Sequence, residues 1–353
     1  MSVGAVERGH KMTAPAISIV VIGRNEGQRL ARCLESIHCI RGFEGERIEI
    51  IYVDSASTDG SAELAATYGA QVIVVHAERP TAALGRNAGW RVAKAEFVLF
   101  LDGDTILHPD FVKAALEPML QDASIAAVWG HRREIHPEAS IYNRILDLDW
   151  VYAPAITEFC GGDVLIRRSA LEEVNGYDSE LIAGEEPEMC RRMRARGYRI
   201  LHIDHPMTGH DLQMTRSSQY WKRAIRSGHA FAEISRRFRD SDDPSWDSDR
   251  KRNLVHAGFW MGSFAIAIAA SLFRLTILPF VLWVALLVAL SLRSAWKSRW
   301  KSDNVITLSL YGFHSHLQQI PICIGQLQYA FDQKRGNRRA LIEYKEASGA
   351  KTK

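Results

Sequence analysis

Hydrophobic and polar positions divide residues 16–205 into alternating strand-like and helix-like segments. Helical spacing of apolar residues predicts helices between short apolar runs rich in β-branched residues. This order is typical of an α/β fold with a mostly parallel central sheet, flanked by helices, whose ligands bind at the carboxyl ends of the strands. The predicted strands are 16–22 (AISIVVI), 48–54 (IEIIYVD), 71–76 (QVIVVH) and 97–102 (FVLFLD), and the predicted helices are 26–37, 59–69 and 82–95.

The pattern changes in residues 254–292, where Arg274 is the only charged side chain and separates two long apolar stretches. A helix rises about 1.5 Å per residue, so either stretch is long enough to cross a hydrocarbon core about 30 Å thick. Basic residues at 250–252 and 293–301 favour a transmembrane hairpin with both ends in the cytosol. A buried core hairpin and a re-entrant or interfacial pair are the alternatives.

These patterns predict the domain organisation. The N-terminal residues are polar and lack the apolar core of a signal peptide. Residues 311–331 fit an interfacial helix followed by a basic tail (334–339) that faces anionic lipids, or a helix that packs on the protein. The predicted parts are a flexible N-terminus (1–15), a globular domain (16–237), a charged linker (238–253), two candidate transmembrane helices (254–292) and a basic, partly amphipathic tail (293–353).

Composition adds three limits. The chain has 353 residues and 47% hydrophobic content, enough for one large core or two modest ones. Its formal net charge of +3 implies no general affinity for nucleic acid, so no nucleic-acid partner is predicted. The five cysteines are scattered without metal-ligand spacing, which indicates a reducing compartment and buried thiols.

Polar residues gather where the predicted strands end, as GRNEG (23–27), DSASTDG (54–60) and DGDT (102–105). No dinucleotide-binding or P-loop glycine motif is present. Two carboxylates about 6 Å apart repel by about 3 kcal/mol at an effective dielectric near 20. A divalent cation relieves this repulsion, and oxygen ligands suit Mg²⁺ or Mn²⁺, which in turn hold phosphate oxygens. Alone, the DGD triplet fits a solvated turn equally well.

Four segments in this order resemble the family-2 inverting glycosyltransferases, which have the GT-A fold of nucleotide-diphospho-sugar transferases. The resemblance covers residues 17 to about 235. It implies a nucleotide-sugar donor, expected to be a UDP-sugar, a divalent Mg²⁺ or Mn²⁺ ion, and direct displacement at the anomeric carbon with inversion. The segments are ISIVVIGRNEGQRLARCLESI, VDSASTDGS, GRNAGWRVAKAEFVLFLDGDT and GEEPEMCRRMRARGY.

The resemblance also implies a donor site. In the family's D-x-D pair, Asp104 would be the metal ligand, while Asp102 would lean toward the ribose or a metal-bound water. Arg86 stands where the family places a basic residue near the donor, although a helix-surface residue is the simpler alternative. Asp59 fits a helix cap. The donor-binding residues are predicted to be Asn25, Glu26, Asp54, Arg86, Asp102 and Asp104.

The segment AGEEPEM (183–189) matches the acidic motif that supplies the family's general base. Glu186 is the predicted base; it stands where relatives usually have Asp, and its neighbour Glu185 is the competing candidate. Pro187 suits the first position of a helix, which would present Glu186 at a helix N-terminus, where the dipole favours its ionised form. The plain alternative treats both acids as ordinary residues of a first helical turn.

Other polar residues have less specific roles. His210 could complete the metal site with Asp102 and Asp104, or contact a phosphate, or be structural. The stretch 219–223 is similar to the Gln-x-x-Arg-Trp motif of processive synthases, but the Arg and Trp positions differ, so no processive synthase is expected. The predicted acceptor-side residues are Asp163, Gln219, Trp221, Lys222 and Arg223.

The leading hypothesis is a membrane-anchored glycosyltransferase of cell-surface polysaccharide synthesis. It would add a sugar to a hydroxyl of a lipid-linked or other glycan acceptor, with membrane lipids as further partners. The predicted location is the cytoplasmic membrane, multi-pass, with the catalytic domain in the cytosol. A polyprenyl-phosphate glycosyltransferase and a non-catalytic membrane scaffold that retains the fold are the alternatives.

Overall fold

The computed structural model describes residues 16–43, 48–242 and 245–336. The predicted flexible N-terminus (1–15) and the end of the tail (337–353) lie outside these residues. The described strands form one sheet in the order β3-β2-β1-β4-β8-β6-β9-β5, and β7 pairs with β9. The strands are β1 (Ile17–Gly23), β2 (Ile48–Asp54), β3 (Gln71–Val74), β4 (Phe97–Asp102), β5 (Thr105–Leu107), β6 (Ile125–Glu134), β7 (Ala155–Thr157), β8 (Val164–Arg167) and β9 (Arg199–His210).

The first half of the sheet is parallel, and its four strands are those predicted from the apolar runs. In register, Gly23 lies opposite Asp54, and Ile22 lies opposite Asp102, so three strand ends meet at one edge. Strands β1, β2 and β4 are buried along most of their length because helices cover both faces of the sheet, whereas the edge strand β3 is partly exposed. The covering helices are α1 (Gln28–His38), α2 (Ser61–Thr67) and α3 (Ala82–Trp90).

The second half makes the sheet mixed. Strand β8 is antiparallel to both of its neighbours, β4 and β6, whereas β6 and β9 are parallel. The short strand β5 follows the DGD turn directly and pairs antiparallel with β9, with Thr105 opposite His210. This pairing brings His210 next to the end of the DGD turn. The α/β fold class is confirmed, with antiparallel pairing in the half of the sheet that the apolar runs did not predict.

The remaining helices flank this half of the sheet and extend beyond it. They are α4 (Phe111–Gln121), α5 (Ile141–Asp147), α6 (Arg168–Val174), α7 (Glu185–Ala195), α8 (Ser217–Arg237), α9 (Asp247–Arg274), α10 (Leu278–Lys297), α11 (Val305–Leu317) and α12 (Gln319–Arg335).

Helices α9 and α10 are long and apolar enough to cross a membrane. They contain 28 and 20 residues, which corresponds to about 42 and 30 Å. Only 17% of the most apolar part of α9 and 11% of that of α10 is buried, which does not fit a buried core hairpin. Helix α9 already begins at Asp247, inside the predicted linker, because the charged residues before 254 continue the helix.

Helix α12, which covers most of the predicted interfacial segment, packs on α8. A Cβ at Gly228 of α8 would lie 2.0 Å from the Ile322 carbonyl oxygen, and one at Gly325 of α12 would lie 2.0 Å from the Ile225 carbonyl oxygen. Only glycine permits such a close approach of two helix backbones. The packing alternative for this segment therefore holds along the face of α12 that meets α8.

Candidate active site

A cavity of about 950 Å³ opens at the carboxyl ends of β1 and β4. Its wall includes side chains from α3, β6, α7, α8 and the loops between them. The predicted site residues that line it are Asn25, Glu26, Arg86, Asp102, Asp104, Glu185, Glu186, His210 and Arg223. The cavity thus brings together residues from distant parts of the chain, as expected for a site at the strand ends.

Arg86 lies at the centre of this wall and is 2% exposed. Its Nη1 contacts Oε1 of Glu186 at 2.9 Å and Oε1 of Glu185 at 3.1 Å, and its Nη2 contacts Oδ1 of Asp102 at 2.9 Å. The guanidinium also lies 5.6 Å from the centre of the Tyr177 ring. Arg86 is therefore not a helix-surface residue, and one guanidinium joins the acid pair of α7 to the D-x-D motif.

The loop before β8 passes directly against this network. A Cβ at Gly162 would lie 2.4 Å from Nη2 of Arg86, 3.2 Å from Oδ2 of Asp102 and 3.3 Å from Oε1 of Glu186. A Cβ at the preceding Gly161 would meet nothing within 4 Å. A side chain at position 162 would therefore displace the Arg86 guanidinium, and the glycine backbone forms part of the wall.

The structure corrects the predicted start of α7. The helix begins at Glu185, after the left-handed residue Gly184 (φ +82°), so Pro187 occupies the third position instead of the first. Proline is tolerated there because N–H groups of the first turn have no partner within the helix. Both acids still lie in the first turn, with Glu185 in first and Glu186 in second position.

The environment of Glu186 suits proton exchange near neutral pH. Burial and the neighbouring carboxylate of Glu185 raise the pKa of Glu186 to about 7, although Arg86 opposes this shift. Glu185 is more deeply buried than Glu186: the side chains are 5% and 15% exposed. Glu186 is thus the more accessible of the two carboxylates on the cavity wall, and the general-base assignment to it remains a prediction.

Asp104 and His210 form the second feature of the wall. Oδ2 of Asp104 lies 3.3 Å from Nε2 of His210, and both residues are 3% exposed. On the other side of the imidazole, Oε2 of Glu134 lies 3.8 Å from Nδ1 of His210. Glu134 itself accepts a hydrogen bond from the backbone N–H of Leu212 (3.0 Å), which holds its carboxylate in place.

Asp104 and His210 fit as the protein ligands of a divalent cation that is also coordinated by a bound ligand. The described residues contain no group of three or more His, Cys, Asp or Glu side chains suited to hold a metal by themselves. Mg²⁺ commonly takes one or two carboxylates and completes its shell with substrate phosphates and water. A carboxylate and an imidazole that face the same cavity match this pattern, and imidazole is also a ligand of transition metals.

Asp102 has a different environment from Asp104. Its Oδ1 accepts from Arg86, and its Oδ2 lies 3.4 Å from Nη2 of Arg132. The Arg132 guanidinium in turn lies 5.1 Å from the centre of the Trp150 ring. Two cations beside Asp102 balance the charge of its carboxylate, and the assignment of Asp104 and His210 as metal ligands remains a prediction.

Two of the predicted acids, Asp54 and Asp163, do not line the cavity. Asp54 is 1% exposed; its Oδ1 accepts from the Tyr52 hydroxyl (3.0 Å) and its Oδ2 from the Ser57 N–H (2.7 Å). Ser57 Oγ in turn accepts from the N–H of Asn25 at 2.9 Å. Asp54 therefore connects two of the loops at the strand ends instead of presenting its carboxylate to the cavity.

Asp163, predicted on the acceptor side, lies behind the D-x-D turn. It is fully buried; its Oδ1 accepts from the Asp102 N–H at 3.0 Å and its Oδ2 from the Thr208 hydroxyl at 2.7 Å. Burial raises the pKa of Asp163, while Arg132 opposes this. Its geometry is that of a positioning residue for Asp102, not of an acceptor contact.

The stretch 219–223 also contains predicted residues that lie away from the cavity. Oε1 of Gln219 accepts from the backbone N–H of Thr215 and of Arg216, each at 3.0 Å, and so caps α8. Trp221 packs against an apolar cluster and Lys222 is exposed. Of the four residues predicted here, only Arg223 lines the cavity.

Among the wall residues that sequence reasoning missed are Arg132, Trp150 and Arg226. Arg132 had a usable signal, because it belongs to the polar triplet that follows the apolar run IAAVWG, as the acids of β4 follow theirs. Trp150 and Arg226 had no local signal. Arg226 donates from Nε to the Ile182 carbonyl oxygen at 3.0 Å, a contact that only the fold creates.

Comparison with solved structures supports the same architecture. A mannosyltransferase, PcManGT from Pyrobaculum calidifontis, solved in complex with GDP-Man and Mn²⁺, superposes with a TM-score of 0.57 and 19% identity. The match covers 91% of this chain and 89% of that one. At this identity the likeness shows the fold, which is GT-A.

Curated relatives are named as glycosyltransferases. The O-antigen chain rhamnosyltransferase WbaN of Salmonella anatum is 26% identical over 223 residues, 58% of this chain and 69% of WbaN. Poly-beta-1,6-N-acetyl-D-glucosamine synthase of Staphylococcus aureus is 26% identical over 198 residues, 52% of this chain and 47% of the synthase. Glycosyltransferase AglE of Haloferax volcanii is 21% identical over 197 residues and is matched over 64% of its length. The chain thus spans about half to two thirds of the length of these relatives.

Two family models match the chain. The model for glycosyl transferase family 2 matches residues 18–174, and the model for glycosyl transferase family group 2 matches residues 97–294. The second match alone covers more than half of the chain and includes the D-x-D turn, the acid pair of α7 and His210. The chain therefore belongs to the family-2 glycosyltransferases.

Proposed function

We propose that this protein transfers a sugar from a nucleotide-diphosphate donor to a hydroxyl group of a glycan acceptor, with inversion at the anomeric carbon. One observation carries the proposal. Glu186, whose pKa is raised to about 7, faces the cavity and shares the guanidinium of Arg86 with Asp102 of the D-x-D motif. A proton acceptor and the predicted donor-binding motif are thus joined through one side chain.

The reaction follows from this arrangement. The acceptor oxygen forms a bond to the anomeric carbon while the bond from that carbon to the donor phosphate oxygen breaks. The hydroxyl proton moves to the carboxylate of Glu186, and the nucleoside diphosphate leaves with the electron pair of the broken bond. General-base catalysis of this kind contributes roughly 10²- to 10⁴-fold to the rate. Glu185 keeps the Arg86 guanidinium in place from the other side.

Asp104 and His210 would hold the Mg²⁺ or Mn²⁺ ion. When bound, such an ion neutralises charge that develops on the leaving diphosphate. We expect the Asp104→Asn variant, in a thermal-shift measurement with a nucleotide-sugar and Mn²⁺, to lose the part of the stabilisation that depends on the metal. Equal Mn²⁺-dependent shifts in the variant and the wild type would refute this ligand assignment.

The donor is expected to be a UDP-sugar, held near Asn25 and Glu26 on the loop after β1. The structural neighbour with GDP-Man makes a guanosine donor the first alternative to test. A thermal-shift panel of nucleotide-sugars, with and without Mn²⁺, identifies the donor because excess ligand stabilises in proportion to RT ln(1 + [L]/Kd). In this proposal Asp54 does not contact the donor but positions the loops around it.

The acceptor is proposed to be a lipid-linked glycan of cell-surface polysaccharide synthesis. Helices α9 and α10 expose their apolar side chains, for example Phe273 (85%) and Leu272 (71%), which supports insertion into a membrane. Basic residues flank both outer ends of the pair, which supports a cytosolic catalytic domain (16–237) anchored by 254–292. The names of the relatives WbaN and the poly-N-acetylglucosamine synthase support a polysaccharide acceptor.

A polyprenyl-phosphate acceptor is the second candidate. Arg132, Arg223 and Arg226 line the same cavity, and guanidinium groups bind phosphate oxygens well. A phosphate nucleophile is already ionised and needs little base assistance. The Glu186→Gln variant separates the two candidates, since transfer to a hydroxyl should fall by roughly 10²- to 10⁴-fold while transfer to a phosphate should change little.

The assay measures nucleoside diphosphate release with the donor found in the panel, together with product formation on each acceptor class. Near wild-type transfer to a hydroxyl acceptor by Glu186→Gln would refute the base assignment. Absence of any transfer or donor hydrolysis by the wild type, with donor binding intact, would favour the non-catalytic scaffold.

A further inference from the structure

A second cavity, of about 390 Å³, lies between α8, α9 and α12. Helix α8 separates it from the active-site cavity: Ala230 and Phe231 line the active-site cavity, whereas Ala232 and Arg236 line the second. Neither the family match nor the proposed reaction assigns a role to this second cavity. Its lining combines a basic rim, a buried amide and an apolar side.

The rim is strongly basic. Of the described residues that line the cavity, four are basic and none is acidic; the basic ones are Arg236, Arg239, Arg250 and Lys334. Arg250 contacts Asp247 at 3.0 Å, and Arg236 donates a hydrogen bond to Gln333. The cavity therefore carries an excess of positive charge, which attracts an anion.

Gln326 provides an independent indication of a polar ligand. It lines the cavity and is only 3% exposed. Neither Nε2 nor Oε1 of its side chain has a hydrogen-bond partner among the described residues. Leaving a buried polar group unsatisfied is unfavourable, so such groups are normally satisfied by a protein partner, a ligand or water. An unsatisfied amide N–H₂ group on a residue that lines a basic cavity can donate to a phosphate oxygen.

The position of the cavity favours a lipid as the source of that phosphate. Arg250 and Leu254 belong to the first turns of α9, the helix that continues into the exposed apolar segment. Leu327, on α12, also lines the cavity and is 59% exposed. A headgroup phosphate can reach the basic rim while the acyl chains continue along α9. Basic pockets beside the cytoplasmic ends of membrane helices bind anionic headgroups in this way.

We infer that the cavity between α8, α9 and α12 binds the phosphate headgroup of an anionic phospholipid. Arg236, Arg239 and Lys334 supply the charge, and Gln326 donates a hydrogen bond to the phosphate. Because α8 also forms part of the active-site wall, bound lipid would hold the catalytic domain at the membrane surface. The inference does not depend on the sugar, the acceptor or the base.

The test uses the full chain in a neutral detergent and measures its melting temperature. The probes are short-chain phosphatidylglycerol, short-chain phosphatidylcholine and inorganic phosphate. Phosphatidylglycerol is expected to raise the melting temperature at concentrations where the other two do not. The R236Q/R239Q/K334Q variant should need roughly 100-fold more phosphatidylglycerol for the same shift. Each basic residue near an anionic lipid contributes roughly fivefold in binding, and the variant lacks three of them.

The matched control is the R293Q/K297Q/R299Q variant, which also loses two arginines and one lysine near the membrane helices. Phosphatidylglycerol should raise its melting temperature as it does for the wild type. The Gln326→Leu variant should show an unchanged or higher melting temperature without lipid, because an unsatisfied amide is removed, and a response weakened about tenfold. Any of three results overturns the inference: an unchanged response in the R236Q/R239Q/K334Q variant, an equal effect of inorganic phosphate, or an equal loss in the control.

Discussion

The acid pair of α7 allows a sharp test of how the site sets its proton affinity. The perturbation is Glu185→Gln, which removes one negative charge but keeps a side-chain oxygen that can accept from Arg86. The oxygens of Glu185 and Glu186 contact the same nitrogen of Arg86, at 3.1 and 2.9 Å, and so lie within about 6 Å of each other. Two charges at about 6 Å and an effective dielectric near 20 repel by about 3 kcal/mol, which corresponds to about 2 pKa units.

Glu185→Gln should lower the pKa of Glu186, because the charge on Glu185 disfavours the ionised form of Glu186 and raises its pKa. The base must be deprotonated to act, so kcat/KM of the wild type should rise about tenfold per pH unit below about 7 and be level above it. In the Glu185→Gln variant the acid limb should move down by about 1 to 2 units.

The assay is a pH profile of kcat/KM from pH 5 to 9 with the identified donor, a hydroxyl acceptor and saturating Mg²⁺. The position of the limb reports the pKa of Glu186 even if the plateau of the variant is lower. Glu117→Gln removes an exposed acid on α4 and should leave the limb in place. An unshifted limb in Glu185→Gln, or a wild-type profile that is flat down to pH 5, would refute the reasoning.

Two further predictions test the close contacts. Gly162→Ala should lower stability by about 1–3 kcal/mol through overpacking and reduce kcat/KM, because its Cβ would lie 2.4 Å from Nη2 of Arg86; Gly161→Ala, whose Cβ meets nothing, should do neither, and equal effects of both would contradict the contact. Gly228→Ala should destabilise the contact between α8 and α12, because its Cβ would lie 2.0 Å from the Ile322 carbonyl oxygen; protease accessibility of α12 measures this, and an unchanged digestion pattern would refute it.

Much of the fold and part of the site could be predicted from local patterns. The strands β2 and β4 begin and end where predicted, since each is a short apolar run that ends at an aspartate. The position of the D-x-D turn could be predicted because the turn stands directly at the end of the apolar run of β4. The start of α7 could not be predicted, because it is set by Gly184, which precedes the helix in the left-handed conformation, and not by the proline.

The sequence by itself determined the parallel half of the sheet, the acids at its edge and the apolar length of α9 and α10, because each depends on residues that are neighbours along the chain. Only the tertiary structure decided which of these groups meet. Arg86 reaches Glu185 across 99 residues of sequence, and His210 reaches Asp104 because β5 pairs with β9. Asp163 supports the Asp102 backbone from behind, although its sequence context equally fits a turn. Local periodicity specifies which face of an element is buried, but contacts across the sheet depend on the pairing of distant strands.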